Sequence, residues 1–501
     1  VAISPRTHGQ RGGTDDHPVA DAARGVRGLM ATVTEHEPRT RRNVELALLV
    51  VSIALSMGAY GLVGVGQQGV WPPGLLGYGA GLALLTGGLH VVLRIRAPYA
   101  DPVILPIAAT LNGIGLAMIH RIDVARGDTG ADALAPKQLV WAAVGVALAA
   151  AIVLFLRDHR ILRRYTFTAM VAGLGLLLLP LLPLIGTEIN GARIWIRLGP
   201  MSFQPGEVAK IVLVVFFAGY LVTHRDTLSL TGRKVLGLQL PRGRDLGPIL
   251  IAWLASLAVL VLQRDLGTSL LFFGIFVALL YVATERTSWI AIGMALFVGG
   301  AFVAWTIFAH VQGRVRAWLN PFDPEVYNAE FGGSYQLVQG LFGMANGGLT
   351  GTGLGAGSPD IVPYSESDFI LASLGEELGL IGLFALLMLY LVLVERGMRT
   401  AIGVRDGFGK LLAGGLAFTI ALQCFVVAGG VTRVIPLTGL TMPLVAYGGS
   451  SLVANWMIVG LLLRISDSAR RPAPVTGPSA ASPDTAATQV VSVSRSGGGP
   501  E

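Results

Sequence analysis

Runs of apolar residues recur along most of this chain, from residue 44 to residue 464, with polar stretches of varying length between them. A helix needs about 20 mostly apolar residues to cross the hydrocarbon core of a membrane. The pattern therefore predicts twelve membrane-spanning helices, at residues 44–66, 75–93, 103–119, 138–156, 166–185, 207–223, 248–263, 266–283, 288–309, 367–394, 411–429 and 441–463.

Polar segments flank and interrupt this pattern. Residues 1–43 and 467–501 have no sustained apolar run, and their content of small and polar residues predicts disordered tails. Residues 310–366 form the longest connection, between the ninth and tenth predicted helices. The predicted fold is an all-α polytopic transmembrane bundle with one long loop.

Composition agrees with a membrane environment. The chain is 53% hydrophobic and 13% charged, which is more apolar surface than a water-soluble core can bury. Its single cysteine, Cys424, excludes an internal disulfide and a thiolate zinc site, and its eight histidines show no metal-binding spacing. The net charge of +7 does not indicate nucleic-acid binding, because its distribution follows the predicted topology.

The positions of lysine and arginine predict the orientation of the bundle. Twelve helices place both termini on the same side, and with the N-terminus in the cytoplasm 27 of these residues fall inside and 9 outside. Cytoplasmic loops of membrane proteins carry such an excess. We therefore expect both tails in the cytoplasm and the long loop on the outer face of the cytoplasmic membrane.

Ionisable residues at membrane depth are the first candidates for function, because they are costly there unless they face a cavity or a partner. Glu207 and Lys210 lie three residues apart on one face of a predicted helix, although a buried ion pair that only joins two helices has the same spacing. Asp265 interrupts two apolar runs. It could act as a general base or hold a divalent cation, or it could simply cap the next helix.

The long loop carries a second set of candidates. Tyr335, Gln336 and Gln339 have helical spacing and precede an apolar patch, which is typical of an interfacial or re-entrant helix. The glycine-rich segment, residues 347–357, permits close backbone approach and exposed N–H groups near a diphosphate. The alternative for this segment is a flexible surface loop.

The last part of the chain adds buried charges and a broken helix. Glu376 and Glu377 lie inside a predicted span and need a partner. Gly448, Gly449 and Ser450 interrupt the start of the last helix, although small residues also serve tight helix packing. The candidate partners for the two glutamates are Arg193, Arg314, Arg316 and Arg433.

Several motifs occur in a recognisable order. They are NGARIWIRLG, FQPGEVAK, QRDLGTSLL, YQLVQGLFGMANGGLTGTGLGAG, SDFILASLGEELGLIG and RVIPLTGLTMPLVAYGGSSLVAN. Together they resemble the SEDS family of shape, elongation, division and sporulation proteins over roughly residues 103–466. The resemblance implies a ten-helix core at residues 101–466, preceded by two additional helices at residues 44–100, as in members from high-GC Gram-positive bacteria.

The resemblance also implies an activity. Family members are peptidoglycan glycosyltransferases that join lipid II units at the outer membrane face and release undecaprenyl diphosphate, assisted by a divalent cation, Mg²⁺ or Mn²⁺. The implied partners are lipid II, undecaprenyl-linked glycan, membrane lipids, a class B penicillin-binding protein acting as transpeptidase, and other elongation or division proteins. The resemblance implies no nucleic-acid partner.

The family motifs assign roles to Asp265, Glu207 and Lys210, and the character of the residues themselves adds the other candidates. The essential carboxylate falls on Asp265, which is expected to activate the acceptor hydroxyl or to position the cation. The expected supporting residues, several of them cations that would clamp diphosphate, are Asn190, Arg193, Arg197, Gln204, Glu207 and Lys210. The expected substrate-binding residues are Arg314, Arg316, Tyr335, Gln336, Gln339, Asp368, Glu376, Glu377, Arg433, Gly448, Gly449 and Ser450.

The chain departs from the family pattern at three positions. Arg264 replaces a proline, and its charge is expected to lower the pKa of Asp265. Gly206 replaces a serine, and Tyr364 stands where many members have a glutamate.

Two other functions compete with the glycosyltransferase. One is a lipid II flippase or other transporter, which should show repeated halves, and no internal repeat is visible. The other is a noncatalytic scaffold for cell-wall synthases.

Overall fold

The computed structural model describes residues 40–472, except for the positions given at the end of this paragraph. The predicted tails lie outside the described residues apart from their inner ends, where one helix begins at Arg42 and another ends at Arg470. The remaining gaps are residues 184, 190–191, 199–200, 230–233, 236–237, 240–250, 252–253, 256, 259–260 and 330–331.

Helices account for nearly all of the regular structure in the described residues. Ten of them are long and apolar enough to cross a membrane, and the five that are not are α5, α6, α10, α11 and α12. In chain order the helices are α1 (Arg42–Gln68), α2 (Leu75–Arg96), α3 (Ile104–Arg126), α4 (Leu134–Phe155), α5 (Ile161–Arg164), α6 (Thr166–Leu178), α7 (Pro205–Ser229), α8 (Leu266–Thr284), α9 (Ser288–Ile307), α10 (Ala309–Leu319), α11 (Pro324–Tyr327), α12 (Tyr335–Gly347), α13 (Ile370–Gly403), α14 (Gly407–Val431) and α15 (Gly449–Arg470).

Ten of the twelve predicted spans correspond to these long helices. The span predicted at residues 166–185 is shorter, because α6 continues only through a 3₁₀ turn at Leu179–Leu181. Half of the span predicted at residues 248–263 lies outside the described residues. The fold class, an all-α polytopic bundle, is confirmed.

The last span begins eight residues later than predicted, at Gly449. Residues 434–448 are irregular although largely apolar, and Leu444 has a left-handed φ of 66°. Pro436 and Pro443 lack an N–H donor and disfavour a helical conformation in the residue before them, so an apolar run here cannot continue as one helix.

A small antiparallel sheet precedes α7 and was not predicted. Its strands are β1 (Gly186–Ile189), β2 (Ala192–Leu198) and β3 (Met201–Phe203), paired in that order. In β2 the side chains of Arg193, Trp195 and Arg197 alternate with apolar neighbours, the two-residue period of a strand. Beyond α7, the two-residue strands β4 (Lys234–Val235) and β5 (Leu238–Gln239) pair with each other.

The core of the bundle lies around α3, α7, α14 and α15, whose apolar residues are mostly buried. α15 packs along α4 with the backbones close together, since a Cβ on Gly460 would lie 2.9 Å from Ala149 Cα. Small residues allow such close approach in membrane bundles. α9 lies at the periphery and buries little. The central helices thus provide a rigid frame for the groups at their ends.

Candidate active site

The predicted site residues come together at one end of the bundle. α7, α8, α13 and α15 begin there, and α1, α3 and α14 end there. Hydrogen bonds join these ends: Gln204 N, just before α7, donates to Ser450 Oγ in α15 at 2.8 Å, and Arg121 of α3 donates to Glu377 of α13 at 2.7 Å. This arrangement brings residues more than 200 positions apart into one site.

Asp265 is the N-cap of α8. Its Oδ1 accepts a hydrogen bond from Thr268 N at 2.9 Å, and its Oδ2 accepts one from Thr268 Oγ1 at 2.7 Å. The side-chain nitrogen of Gln204, Nε2, lies 3.5 Å from Oδ2 of the same carboxylate. The capping role considered from the sequence is therefore present. It leaves further lone pairs on both oxygens for a ligand or proton.

Burial raises the pKa of Asp265 above its usual value, and the Thr268 hydrogen bonds and the charge of Arg314 oppose the shift. The expectation that Arg264 lowers this pKa is wrong. Arg264 is exposed and occupies a left-handed turn with φ 61°, and the cation that acts on Asp265 is Arg314 of α10. Arg264 precedes Asp265 in the sequence, but its side chain lies at the surface, and the distant Arg314 is the arginine whose charge reaches Asp265.

Arg314 and Asp368 complete a charged cluster with Asp265. Arg314 Nη1 donates to the carbonyl of Thr438 at 2.7 Å and to that of Leu437 at 3.3 Å, and its charge interacts with both carboxylates. Burial raises the pKa of Asp368 to about 6. We call Asp265, Arg314 and Asp368 the charged cluster.

Glu207 and Lys210 form a buried ion pair beside this cluster. Lys210 Nζ lies 2.6 Å from Glu207 Oε2 and donates to Gln423 Oε1 at 2.9 Å, and only 1% of Lys210 is exposed. Gln423 Nε2 in turn donates to the carbonyl of Thr441 at 2.9 Å. Glu207 interacts electrostatically with Asp265. The pair therefore joins α7, α14 and the irregular segment 434–448 behind the cluster.

The two buried glutamates of α13 find partners that the sequence did not indicate. Glu377 Oε1 accepts from Arg121 Nε at 2.7 Å, so none of the four proposed arginines is its partner. Glu376 Oε1 accepts from Asn346 Nδ2 at 3.2 Å and from Ser358 N at 3.1 Å. The partner was missed because Arg121 lies beyond the predicted end of its helix, whereas α3 continues to Arg126.

The glycine-rich segment is fastened to the start of α13. Thr352 N and Gly353 N donate to the carbonyls of Glu376 and Glu377, both at 3.0 Å, and Gly355 N donates to Glu377 Oε2 at 2.9 Å. These N–H groups are used within the protein, so the expectation that they face a diphosphate is wrong for these three. The segment is an ordered connection rather than a free loop.

Other predicted site residues hold the long loop together. Arg433 Nε donates to the carbonyl of Trp318 at 2.8 Å, Gln336 Nε2 to that of Pro363 at 2.8 Å, and Gln339 Nε2 to the hydroxyl of Tyr327 at 2.9 Å. Tyr335 contacts the ring of Tyr327 edge-on. The helix predicted at this point is α12.

The remaining predicted residues divide into three groups. Gly448 N donates to Gln138 Oε1 at 3.4 Å, and Gly449 packs directly against the ring of Trp141. Asn190 lies outside the described residues. Among the predicted site residues, the cations whose side chains make no hydrogen bond or ion pair to the described part of the chain are Arg193, Arg197 and Arg316.

Two contributors to the site were missed by sequence reasoning. Thr268 holds Asp265 through two atoms, and its signal is the spacing of a helix cap, three residues after the capping carboxylate. Gln423 holds Lys210, and its signal is a polar side chain within an apolar run.

The donor set around Asp265 suits a cation completed by substrate better than a protein-built cage. In the described ranges, no three His, Cys, Asp or Glu side chains come together as metal ligands. Mg²⁺ commonly binds one or two carboxylates together with substrate phosphates and water. The open lone pairs of Asp265, with Asp368 acting on the same arginine, fit that kind of site.

Within residues 40–472, outside the gaps given above, ten apolar helices with ionisable groups gathered at one end define a multi-pass membrane protein with an enzyme-like polar site. The comparisons with known proteins agree with this class. The model of the FtsW/RodA/SpoVE family, described as cell cycle protein, matches residues 102–471.

Relatives and one solved structure match most of the chain. Peptidoglycan glycosyltransferase RodA of Mycobacterium tuberculosis is 50% identical over 457 residues, covering 90% of this chain and 96% of the relative. RodA of Mycobacterium leprae is 48% identical over 445 residues, covering 88% and 94%. A structure described as showing the coordination of polymerization and crosslinking by a peptidoglycan synthase complex has a TM-score of 0.59 at 27% identity, covering 74% of this chain and 99% of its own.

This chain belongs to the FtsW/RodA/SpoVE family. The resemblance seen in the sequence motifs is thereby confirmed. The family match begins at residue 102, so α1 and α2 precede it.

Proposed function

We propose that this protein is a peptidoglycan glycosyltransferase that polymerises lipid II at the outer face of the bacterial cytoplasmic membrane. The mycobacterial relatives are named peptidoglycan glycosyltransferases. RodA of Mycobacterium tuberculosis is 50% identical to this chain over 90% of its length. The observation that carries the proposal is the charged cluster, in which a partly buried carboxylate with raised pKa lies beside an arginine at one end of the bundle. Such perturbed groups concentrate at active sites.

Asp265 has the properties of a general base for this reaction. The acceptor sugar hydroxyl must lose a proton as its oxygen attacks the donor's anomeric carbon, and a base works best with a pKa near the working pH. Burial moves the pKa of Asp265 in that direction. Thr268 and Gln204 hold the carboxylate in one orientation, which reduces the cost of positioning it for proton transfer.

Arg314 is assigned to the leaving diphosphate. Two of its N–H contacts are made to carbonyls of residues 437 and 438, which fix the guanidinium while other donors stay open for charge-assisted bonds to phosphate oxygens. Arg193 and Arg197, on one face of β2, and the exposed Arg316 supply further positive charge. Lys210 was also expected in this clamp, but its ammonium pairs with Glu207 and donates to Gln423, so we assign it a positioning role.

A divalent cation is proposed to bind at Asp265. When bound, it would neutralise charge on the diphosphate and polarise the bond that breaks. Asp265 would hold it. Asp368, which interacts with the same arginine as Asp265, would be the second carboxylate. The rest of the coordination would come from substrate phosphates and water.

The membrane side and the partner also belong to the proposal. The excess of Lys and Arg at the opposite end from the charged cluster supports a cytoplasmic location for both termini. A class B penicillin-binding protein is the proposed partner, supported by the likeness to a chain from a complex that polymerises and crosslinks. Elongation or division is then decided by which transpeptidase and which other proteins bind.

Polymerisation of lipid II by the purified protein is the direct test. We expect glycan strands to form from lipid II in detergent or nanodiscs with Mg²⁺ or Mn²⁺, and the rate to fall when a chelator is added and to recover with excess cation. The assay is run with and without the transpeptidase. Lipid II movement across proteoliposomes without any glycan product would instead support a transporter, and activity only through the partner would support a scaffold.

The ionisation of the charged cluster predicts how the rate depends on pH. Burial raises the pKa of Asp368 to about 6, so this carboxyl is mostly protonated at pH 5. Burial also raises the pKa of Asp265, so protonation of Asp265 begins at a higher pH than for an ordinary aspartate. We expect kcat/KM for lipid II to rise with pH through about 6. A flat profile between pH 5 and 7.5 would contradict this assignment.

The free energy of unfolding should change with pH in the opposite direction to kcat/KM, because of Asp368. A pKa that is higher in the folded protein than in the unfolded chain makes the group cost stability as pH rises from about 4 to its folded value. Loss of activity at pH 5 therefore does not arise from unfolding driven by this group. Intrinsic fluorescence at each pH checks that the protein stays folded.

A further inference from the structure

α1 lies outside the family match but contacts the glycine-rich segment of the long loop. The end of α1 meets this segment backbone to backbone: a Cβ on Gly355 would lie 2.9 Å from the carbonyl oxygen of Val63 and 3.2 Å from Gln67 N. A Cβ on Gly66 would collide with the carbonyl oxygen of Leu354. Glycine at both positions therefore permits a contact that no larger residue allows.

Arg121 connects this contact to the core. Its Nε donates to Glu377 at 2.7 Å, and its Nη2 donates to the carbonyl of Gly357 at 2.6 Å. With its amide oxygen facing the guanidinium, Gln67 of α1 accepts from Arg121 Nη1 at 2.6 Å. One buried guanidinium thus binds α1, α13 and the glycine-rich segment together.

The segment held in this way leads to the charged cluster. Glu376 and Glu377, which accept its N–H groups, lie two turns into the helix that Asp368 precedes. The charge of Arg314 interacts with the carboxylates of both Asp368 and Asp265. The glycine-rich segment is therefore bonded to the helix whose start carries the charged cluster's second carboxylate.

We propose that α1 is a positioning element of the active site: Gly66 and Gln67 hold the glycine-rich segment against α13. This assigns a task to the first of the two helices that precede the family core. The contact surface is the end of α1, and its requirement is the absence of a side chain at residue 66. The effect on the reaction rests on the proposed function, whereas the effect on the segment does not.

The test compares two glycines of the same helix in the full-length protein. Gly66→Ala places a methyl group against Leu354, whereas Gly58→Ala places one where no atom of the described residues lies within 4 Å. Alanine favours a helix more than glycine does, so an effect of helix propensity alone should appear at least as strongly in the mid-helix variant Gly58→Ala. Hydrogen–deuterium exchange of residues 349–358 should be faster in Gly66→Ala and unchanged in Gly58→Ala. Equal exchange in both variants overturns the proposal.

A second pair of variants leaves the helix backbone unaltered. Gln67→Ala removes the acceptor for Arg121, and Gln68→Ala removes the next side chain, which makes no bond to Arg121. We expect faster exchange of residues 349–358 only in Gln67→Ala. If Gln67→Ala and Gln68→Ala exchange alike, the guanidinium contact does not hold the segment.

Kinetics separate positioning from general stability. In Gly66→Ala and Gln67→Ala we expect KM for lipid II to rise roughly three- to tenfold with kcat nearly unchanged, because the contacts of Asp265 are intact; tenfold corresponds to about 1.4 kcal/mol. A fall in active fraction at constant KM would overturn the positioning role. If exchange changes as expected but no variant, nor the unmodified protein, makes glycan, the proposed function fails while α1 still positions the segment.

Discussion

Asp265→Asn should remove polymerisation almost completely while leaving the protein folded. Asparagine caps helices about as well as aspartate, and its side-chain oxygen can still accept from Thr268 N, which lies 2.9 Å from the present carboxylate. It cannot accept the acceptor's proton at neutral pH. Because a positioned general base contributes roughly 10²- to 10⁴-fold, we expect a loss of that size in the rate of glycan formation from lipid II.

The matched control is Asp323→Asn. Asp323 caps α11, where it accepts from Glu325 N at 2.9 Å, and the same substitution there leaves the charged cluster untouched. We expect this variant to keep its activity, and both variants to keep the elution volume and thermal unfolding of the unmodified protein. Full polymerising activity in folded Asp265→Asn would show that Asp265 is only a cap.

Glu207→Gln should be the most destabilising of the single substitutions considered. It leaves the ammonium of Lys210, which is 1% exposed, without its counterion, and breaking a buried pair in this way costs about 3–5 kcal/mol. The double variant Glu207→Gln with Lys210→Met removes both charges and should recover most of that loss, since apolar replacement of a whole pair is often neutral. Thermal unfolding in detergent measures both.

The double variant also decides whether the pair serves only to join helices. Glu207 raises the pKa of Asp265 through its charge, so without it the pH at which kcat/KM reaches half its maximum should fall. An unchanged midpoint in a stable double variant would leave the pair a purely structural role. Glu395→Gln is the control for stability: Glu395 pairs with Arg396 at 3.3 Å and also with Arg399 near the surface, and such pairs contribute at most about 1 kcal/mol each.

Local pattern predicted the spans well and their ends poorly. α8 was placed within a residue of its bounds because Asp265 is both a break in an apolar run and a helix cap. The last helix was begun too early because residues 441–448 are apolar without being helical, and apolarity alone does not distinguish a span from a packed irregular segment. The strand β2 was missed because seven residues of alternation are a weak signal beside runs of twenty.

The sequence predicted which residues belong to the site better than it predicted which of them contact one another. The motifs supplied Asp265, Glu207 and Lys210, and the position of Arg314 in the predicted outer loop made it a candidate. The spacing of Glu207 and Lys210 indicated their pairing. The partner of Glu377 was assigned wrongly, and so was the cation acting on Asp265, since both are provided by residues distant in sequence. Spacing reports neighbours within one helix, and it carries no information about which helices meet.

The sequence by itself determined that this is a helical membrane protein of the FtsW/RodA/SpoVE family with a carboxylate at the start of one span, because hydropathy and motif order are local properties. Only the tertiary structure decided that Arg314 rather than Arg264 acts on that carboxylate, and that Arg121 joins α1 to the glycine-rich segment. These contacts depend on helix ends meeting in three dimensions, and burial there sets the energy of every charge.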